Sequence, residues 1–86
     1  MPERTVVVAS SVGLHARPAA LFSQQAARAG APIVLTSASG RSVNAASILG
    51  VLSLGIDHGE RVTLSSADDA ALDALVEMLE RDLDLE

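Results

Sequence analysis

The 86-residue sequence contains no cysteine, no lysine, no tryptophan and no tyrosine, and Phe22 is its single aromatic residue. Without cysteine the chain has no disulfide framework and no thiolate metal or redox site, which fits a reducing compartment. All six cationic side chains are arginines, and eleven carboxylates outnumber them, so the net charge is −5. Nucleic-acid binders need a basic surface and, for single strands, aromatic rings. We therefore expect no nucleic-acid partner.

Long apolar runs are missing as well. The longest near the start is Val6-Val7-Val8-Ala9, which is shorter than the core of a signal peptide and far below the roughly 18 residues that span a bilayer. We therefore expect a soluble, cytoplasmic protein with no membrane partner. The composition is 49% hydrophobic, which is enough for one core, and the length predicts a single domain over residues 1–86.

The hydrophobic pattern predicts seven elements in the order β-α-β-β-α-β-α. Strands are predicted over 3–8, 33–37, 41–44 and 61–65, where β-branched or alternating residues favour a pleated surface. Helical spacing of apolar residues predicts a helix that follows His15 and ends at Ala29. It also predicts a last helix with an apolar stripe, which comprises Leu72, Leu75, Val76, Leu79 and Leu83. This order is typical of an α+β sandwich in which helices cover one face of a four-stranded sheet.

Periodicity alone does not distinguish a strand from a helix over residues 47–54. Ser47 is a good N-cap residue and Gly55 a good helix terminator, so we predict a short helix there. The apolar residues of this segment should divide between the core and a surface patch, in a way that the sequence does not specify. They are Ile48, Leu49, Val51 and Leu52.

Two further helix ends are predicted from one or two residues each. Gly30 stands where the C′ residue of the first helix would lie and is free to adopt a positive φ. Ser66 and Asp69 have the spacing of a capping box at the start of the last helix.

The strongest chemical indication lies between Gly13 and Ala20. Pro18 falls in the first turn of the predicted helix, where its missing N–H costs nothing, so His15 stands at or beside the N-cap. A helix N-terminus favours an anion by about 0.3–1 kcal/mol. Imidazole is a nucleophile that is largely unprotonated near neutral pH, and Arg17 adds a donor fork suited to phosphate. Together they predict a histidine that accepts a phosphoryl group.

A histidine near a helix start is more often a capping or surface residue, and the complete string is more specific than the His–Arg pair. Gly13-Leu14-His15-Ala16-Arg17-Pro18-Ala19 resembles the active-site signature of HPr, the phosphocarrier family of the bacterial sugar phosphotransferase system. The segment from Gly40 to Ile56 is similar to the hairpin and short helix of the same family.

The resemblance implies an open-faced β-sandwich of four antiparallel strands and three helices. It implies that His15 accepts a phosphoryl group on Nδ1 from phospho-enzyme I and donates it to IIA components of sugar permeases, with Arg17 as its electrostatic partner. Such a protein is a monomeric carrier without a cofactor, and it is not a turnover enzyme. Ser47 matches a regulatory serine that an HPr kinase/phosphorylase modifies in some bacteria. The residues expected to dock partners are Ala20, Gln24, Ile48 and Leu49.

Two alternatives stay open. One is a regulatory, nitrogen-linked paralogue without sugar transport, although the segment from Gly50 to Gly55 favours the general form. The other is a regulatory interaction protein that acts through Ser47, and known proteins of that kind lack the active-site histidine. His58 lies in a turn by composition, and it has no ligand spacing with His15, so no metal site is expected.

Overall fold

The computed structural model describes residues 2–9 and 13–81, with Ala16 described by its backbone alone. In that part of the chain the elements follow the predicted order: β1 (Glu3–Val7), α1 (Ala16–Ala27), β2 (Val34–Thr36), β3 (Ser42–Asn44), α2 (Ile48–Ser53), β4 (Arg61–Ser65) and α3 (Asp69–Glu80). The bounds of β4 match the prediction, and the other strands and α1 differ from it by one or two residues at an end. Leu83 lies outside the described residues, as does most of the loop predicted before Gly13.

The four strands form one antiparallel sheet in the order β1-β4-β2-β3. The register pairs Val6 with Val62 and Leu35 with Leu64, and all four side chains are buried against the helices. A row of hydroxyl residues crosses the opposite face of the sheet, and it comprises Thr5, Thr63, Thr36 and Ser42. The three helices therefore cover one face, and the predicted open-faced sandwich is confirmed.

The core lies between this sheet and the helices, and the three helices contribute to it unequally. Helix α1 buries Ala19, Phe22 and Ala26, and α3 buries Leu72, Leu75 and Leu79, the last three at positions of the predicted apolar stripe. The only fully buried residue of α2 is Val51. The apolar residues that the sequence left undivided are thus assigned: Val51 belongs to the core, whereas Ile48, Leu49 and Leu52 are exposed. No helix in the described part of the chain is long and apolar enough to cross a membrane.

The predictions made from Gly30 and from the Ser66–Asp69 capping box were both wrong. Helix α1 ends at Ala27 with Arg28 as its C-cap, so Gly30 lies beyond the C′ position and has no positive φ. Helix α3 starts at Asp69, and its N-cap is Asp68 and not Ser66. The Oγ of Ser66 instead accepts a hydrogen bond from the backbone N–H of Asp68 at 3.1 Å, which orients the residue that caps the helix.

One carboxylate, that of Asp68, joins two parts of the fold. Its Oδ1 accepts the backbone N–H of Ala71 at 3.1 Å, and its Oδ2 accepts that of Gly30 at 2.8 Å. These hydrogen bonds, with the one from Gly30 as the larger cause, hold the pKa of Asp68 below its ordinary value of 3.8. Because the pKa is lower in the folded state, the stabilisation is present above about pH 4 and is lost as the pH falls through the folded-state value.

We therefore expect Asp68→Ala to lower Tm by several degrees near neutral pH, because two backbone donors lose their acceptor. The difference in Tm from the unsubstituted protein should narrow below about pH 4. Thermal unfolding followed by circular dichroism across this range measures both effects. Glu77→Ala removes an exposed carboxylate of the same helix and serves as the control. A difference in Tm that stays constant into strong acid would contradict the assignment.

Candidate functional site

His15 is the N-cap residue of α1. Its backbone is extended, with φ −125° and ψ 159°, and its side chain makes no capping hydrogen bond to the helix. The preferred N-cap residues are Ser, Thr, Asp and Asn, whose oxygen atoms accept a first-turn N–H. His15 therefore does not contribute the stabilisation that this position normally provides. The imidazole is 42% exposed and remains accessible to another molecule.

The first turn of α1 provides a positive environment for an anion. Its backbone N–H groups have no intrahelical acceptor, and the turn contains no acidic residue that would neutralise the helix dipole. Pro18 is buried in this turn, where it fixes the backbone without the loss of a hydrogen bond. Arg17 is exposed in the same turn, two positions after His15. The structure thus places His15 and Arg17 at the helix end that the sequence predicted.

Gly13, two residues before the N-cap of α1, makes a close backbone contact that only glycine permits. Gly13 has a φ of 69°, and a Cβ at this position would overlap the carbonyl oxygen of Ile56 and lie 2.8 Å from the Cα of Asp57. The next residue, Leu14, donates its N–H to the same Ile56 carbonyl at 2.9 Å. The contact holds the segment that follows α2 directly behind His15.

Asp57 is a site residue that the sequence interpretation missed. Its Oδ1 lies 3.7 Å from Nε2 of His15, and its own side chain is 84% exposed. No local pattern indicates this pair, because the two residues are far apart in the sequence and meet through the Gly13–Ile56 contact. His58 is exposed, as its turn composition predicted. The described residues include no group of three His, Asp or Glu side chains that could hold a metal ion.

Ser47 is the N-cap of α2, as predicted. Its Oγ accepts the backbone N–H of Gly50 at 3.1 Å, and Gly55 beyond the helix has the positive φ, 60°, of a terminator. The side chains that follow the cap are apolar and largely open to solvent. Leu49 is 77% exposed and Ile48 41%. An apolar surface therefore begins at the residue next to Ser47.

Helix α1 and the start of α2 enclose a groove of about 240 Å³. It is lined by Ala20, Ser23, Gln24, Ala27, Ala46 and Ile48. Three of the four predicted docking residues therefore line one concave surface, and the fourth, Leu49, directly follows Ile48 in the first turn of α2. The Oγ of Ser23 is buried in the groove wall without a hydrogen-bond partner.

Comparison with known proteins finds similarity to HPr proteins along nearly the whole chain. A family model described as "PTS HPr component phosphorylation site" matches residues 2–81. Phosphocarrier protein HPr of Streptomyces coelicolor is 42% identical over 87 residues, which cover 98% of this chain and 94% of that protein. The HPr-like protein Crh of Halalkalibacterium halodurans is 40% identical over 85 residues, which cover 95% of this chain and 100% of that protein.

A solved structure agrees in three dimensions. The crystal structure of HPr-C-His from Thermoanaerobacter tengcongensis superposes with a TM-score of 0.91 at 39% sequence identity, with coverage of 100% of this chain and 99% of that one. The site around His15, the sandwich architecture and the family match are therefore consistent with one another. The chain belongs to the HPr family, the phosphocarriers of the phosphotransferase system.

Proposed function

We propose that this chain carries a phosphoryl group on Nδ1 of His15, which it receives from phospho-enzyme I and donates to IIA components of sugar permeases. The main support is the position of His15, a half-exposed nucleophile at a helix N-terminus where it makes no capping bond. Nε2 is the ring nitrogen beside Asp57, so Nδ1 is the nitrogen that remains for the phosphoryl group. The carrier acts as a monomer in the cytoplasm.

The surroundings of His15 suit a carrier better than a turnover enzyme. The first-turn amides and the guanidinium of Arg17 stabilise a dianionic phosphoryl group through the helix end and a planar donor fork. An exposed site of this kind contributes about 0.3–1 kcal/mol, which is modest. A phosphoryl group held so weakly can be passed on, and that is the requirement for a protein that cycles between a donor and an acceptor.

Both partners are proposed to dock on the groove between α1 and α2. Its wall includes Ala20, Gln24 and Ile48, and Leu49 extends beside it as the most exposed large apolar residue of the described chain. A small apolar surface next to the reactive group suits a weak, transient complex. A donor and an acceptor that use the same surface must alternate, which keeps the transfer sequential.

Incubation with phosphoenolpyruvate and enzyme I tests the proposal. We expect the chain to gain acid-labile, base-stable phosphate, because a phosphorus–nitrogen bond hydrolyses in acid. Adding a IIA protein should then remove the label from the chain. Labelling that is stable to acid would indicate a phosphate ester and contradict the assignment to a histidine. A chain that takes up no label from active enzyme I would overturn the proposed function.

Ser47 is proposed as a regulatory site that an HPr kinase/phosphorylase modifies. A phosphate would add about −1.5 to −2 charge at the start of α2, next to the apolar side chains of Ile48 and Leu49. Phosphate is compatible with the cap position, because anions are favourable at a helix N-terminus. The modification should therefore disturb docking and leave the fold intact.

Substitutions at Ser47 separate its capping role from the regulatory one. We expect Ser47→Ala to cost about 1 kcal/mol of stability, because the N–H of Gly50 loses its acceptor, and to leave labelling by enzyme I unchanged. Ser47→Asp keeps a capping oxygen, so it should stay folded but slow the labelling of His15. Chemical denaturation and initial labelling rates measure the two effects. Equal rates in both variants would leave Ser47 with the capping role alone.

A further inference from the structure

We infer that Asp57 is a positioning residue for the phosphoryl transfer, which keeps the proton of the neutral His15 ring on Nε2 and so leaves the Nδ1 lone pair free to attack phosphorus. The inference rests on the proposed function of His15. It starts from the 3.7 Å distance between Asp57 Oδ1 and His15 Nε2. This spacing is slightly longer than a hydrogen bond and within the range of an ion pair. Catalytic hydrogen bonds are often long in an unoccupied site and shorten when the partner binds.

The backbone of Asp57 is fixed on both sides, so its position beside His15 does not depend on its exposed side chain alone. On one side the carbonyl of Ile56 accepts the N–H of Leu14 at 2.9 Å, next to the close approach of Gly13. The carboxylate of Glu60 accepts the N–H of Asp57 at 3.3 Å, and on the other side of the residue the carbonyl of Asp57 accepts the N–H of Glu60 at 3.1 Å.

The turn that contains Asp57 is also tied to its surroundings. The second carboxylate oxygen of Glu60 accepts the N–H of Ala38 at 3.1 Å, and Gly59 donates its N–H to the carbonyl of Val8 at 2.8 Å. These bonds join the turn to the β2–β3 connection and to the end of β1. These hydrogen bonds therefore hold in place the backbone that carries the Asp57 carboxylate. The carboxylate itself lies beside the imidazole of His15.

A carboxylate at Nε2 has a defined effect on a neutral imidazole. One ring nitrogen carries the proton and the other holds the lone pair, and the partner of one nitrogen selects the tautomer. An anion at Nε2 favours the proton there, which places the lone pair on Nδ1. The alternative tautomer has a protonated Nδ1, which cannot attack.

Asp57 and His15 also interact during the phosphoryl transfer. The Nδ1 lone pair forms the new nitrogen–phosphorus bond, while the bond from phosphorus to the donor atom breaks and its electron pair stays with the donor. The proton remains on Nε2, so the phosphorylated ring carries a positive charge that faces Asp57. When the phosphoryl group leaves for the acceptor, the nitrogen–phosphorus electron pair returns to Nδ1 and the ring is neutral again. Asp57 thus stabilises the charge that the ring gains and later loses.

Asp57 and the phosphoryl group are both anions and repel each other, so the ring nitrogen that Asp57 faces is important. The carboxylate is at Nε2, whereas the phosphoryl group binds the other ring nitrogen and lies farther from Asp57. Coulomb energy falls with distance, so placement at the opposite nitrogen weakens the repulsion from the phosphoryl group and keeps the attraction to the proton on Nε2 strong. The pair is exposed in the free protein, where such interactions are worth about 0.2–1 kcal/mol, and this converts to a rate effect of about 1.5- to 5-fold.

The test compares Asp57→Asn and Asp57→Ala with the unsubstituted protein. The tautomer of His15 is read from long-range proton–nitrogen correlation spectra at about pH 8.5, above the ordinary titration range of imidazole. The chain has two histidines, so a His58→Ala background assigns the signals. We expect both variants to lose part of the Nε2–H form and to be labelled by enzyme I about 1.5- to 5-fold more slowly. Asp57→Glu should retain the spectrum and most of the rate.

Glu77→Gln is the control for net charge, because it removes one exposed carboxylate of α3. It should change neither the tautomer nor the labelling rate. An unchanged tautomer in Asp57→Ala would overturn the inference, and so would an altered tautomer with an unchanged rate. A failure of the unsubstituted protein to become labelled would overturn the proposed function itself. The spectra distinguish these cases, because they are recorded without any phosphoryl donor.

Discussion

A His15→Ala variant is expected to fold normally and to take up no phosphoryl group from phosphoenolpyruvate and enzyme I. The fold should survive because the His15 side chain makes no capping hydrogen bond, so its loss removes no interaction with the helix. The activity should disappear because the first turn of α1 and Arg17 can stabilise a phosphoryl group but supply no nucleophile of their own. Radiolabel incorporation should fall from stoichiometric to background, while the thermal unfolding curve shifts little.

His58→Ala is the matched control, since it removes the only other imidazole of the chain from an exposed turn. It should be labelled to the same extent as the unsubstituted protein. Labelling of the His15→Ala variant, or loss of label in the His58 variant, would show that the phosphoryl group is carried elsewhere.

Gly13→Ala is expected to be the most destabilising single substitution at the site. A φ of 69° costs an L-residue roughly 1–2 kcal/mol, and overpacking typically adds about 1–3 kcal/mol. The Cβ meets backbone atoms of Ile56 and Asp57, which cannot move aside as a flexible side chain could. We expect a loss of roughly 2–5 kcal/mol, a large part of the stability of a small domain, measured by chemical denaturation.

Gly55→Ala separates the two contributions. Gly55 also has a positive φ, 60°, but a Cβ there would meet nothing within 4 Å. It should therefore cost only the conformational part, roughly 1–2 kcal/mol. Equal losses at Gly13 and Gly55 would mean that the backbone contact behind His15 is looser than its geometry indicates.

Features that depend on local chemistry could be predicted from the sequence. The short helix α2 was ambiguous by periodicity, and its two flanking residues resolved it: Ser47 caps the helix and Gly55 ends it with a positive φ. Likewise His15 stands at the helix start that Pro18 indicated. Each of these depends on backbone preferences within one turn, which the residue types express directly.

Features set by competition or by distant contacts could not be predicted. Ser66 and Asp68 are both good caps, and the start of α3 at Asp69 decides between them. Gly30 was interpreted as a helix terminator, whereas the structure brings its N–H to the Asp68 carboxylate of a distant helix. The proximity of Asp57 to His15 could not be predicted for a similar reason, because it depends on how the segment after α2 packs.

The strand order has a consequence for the timing of folding. Within the described sheet β1 pairs only with β4, so that Thr5 lies opposite Thr63, and most of the chain separates the two strands. At a synthesis rate of roughly 5–20 residues per second, several seconds pass between the synthesis of β1 and that of β4. Such non-local pairing slows folding, because loop-closure entropy is lost before the contacts form. His15 is synthesised before the Ile56 and Asp57 backbone that packs behind it. Until residues 56 and 57 have been synthesised and packed, the nascent chain therefore holds the His15 imidazole without this support.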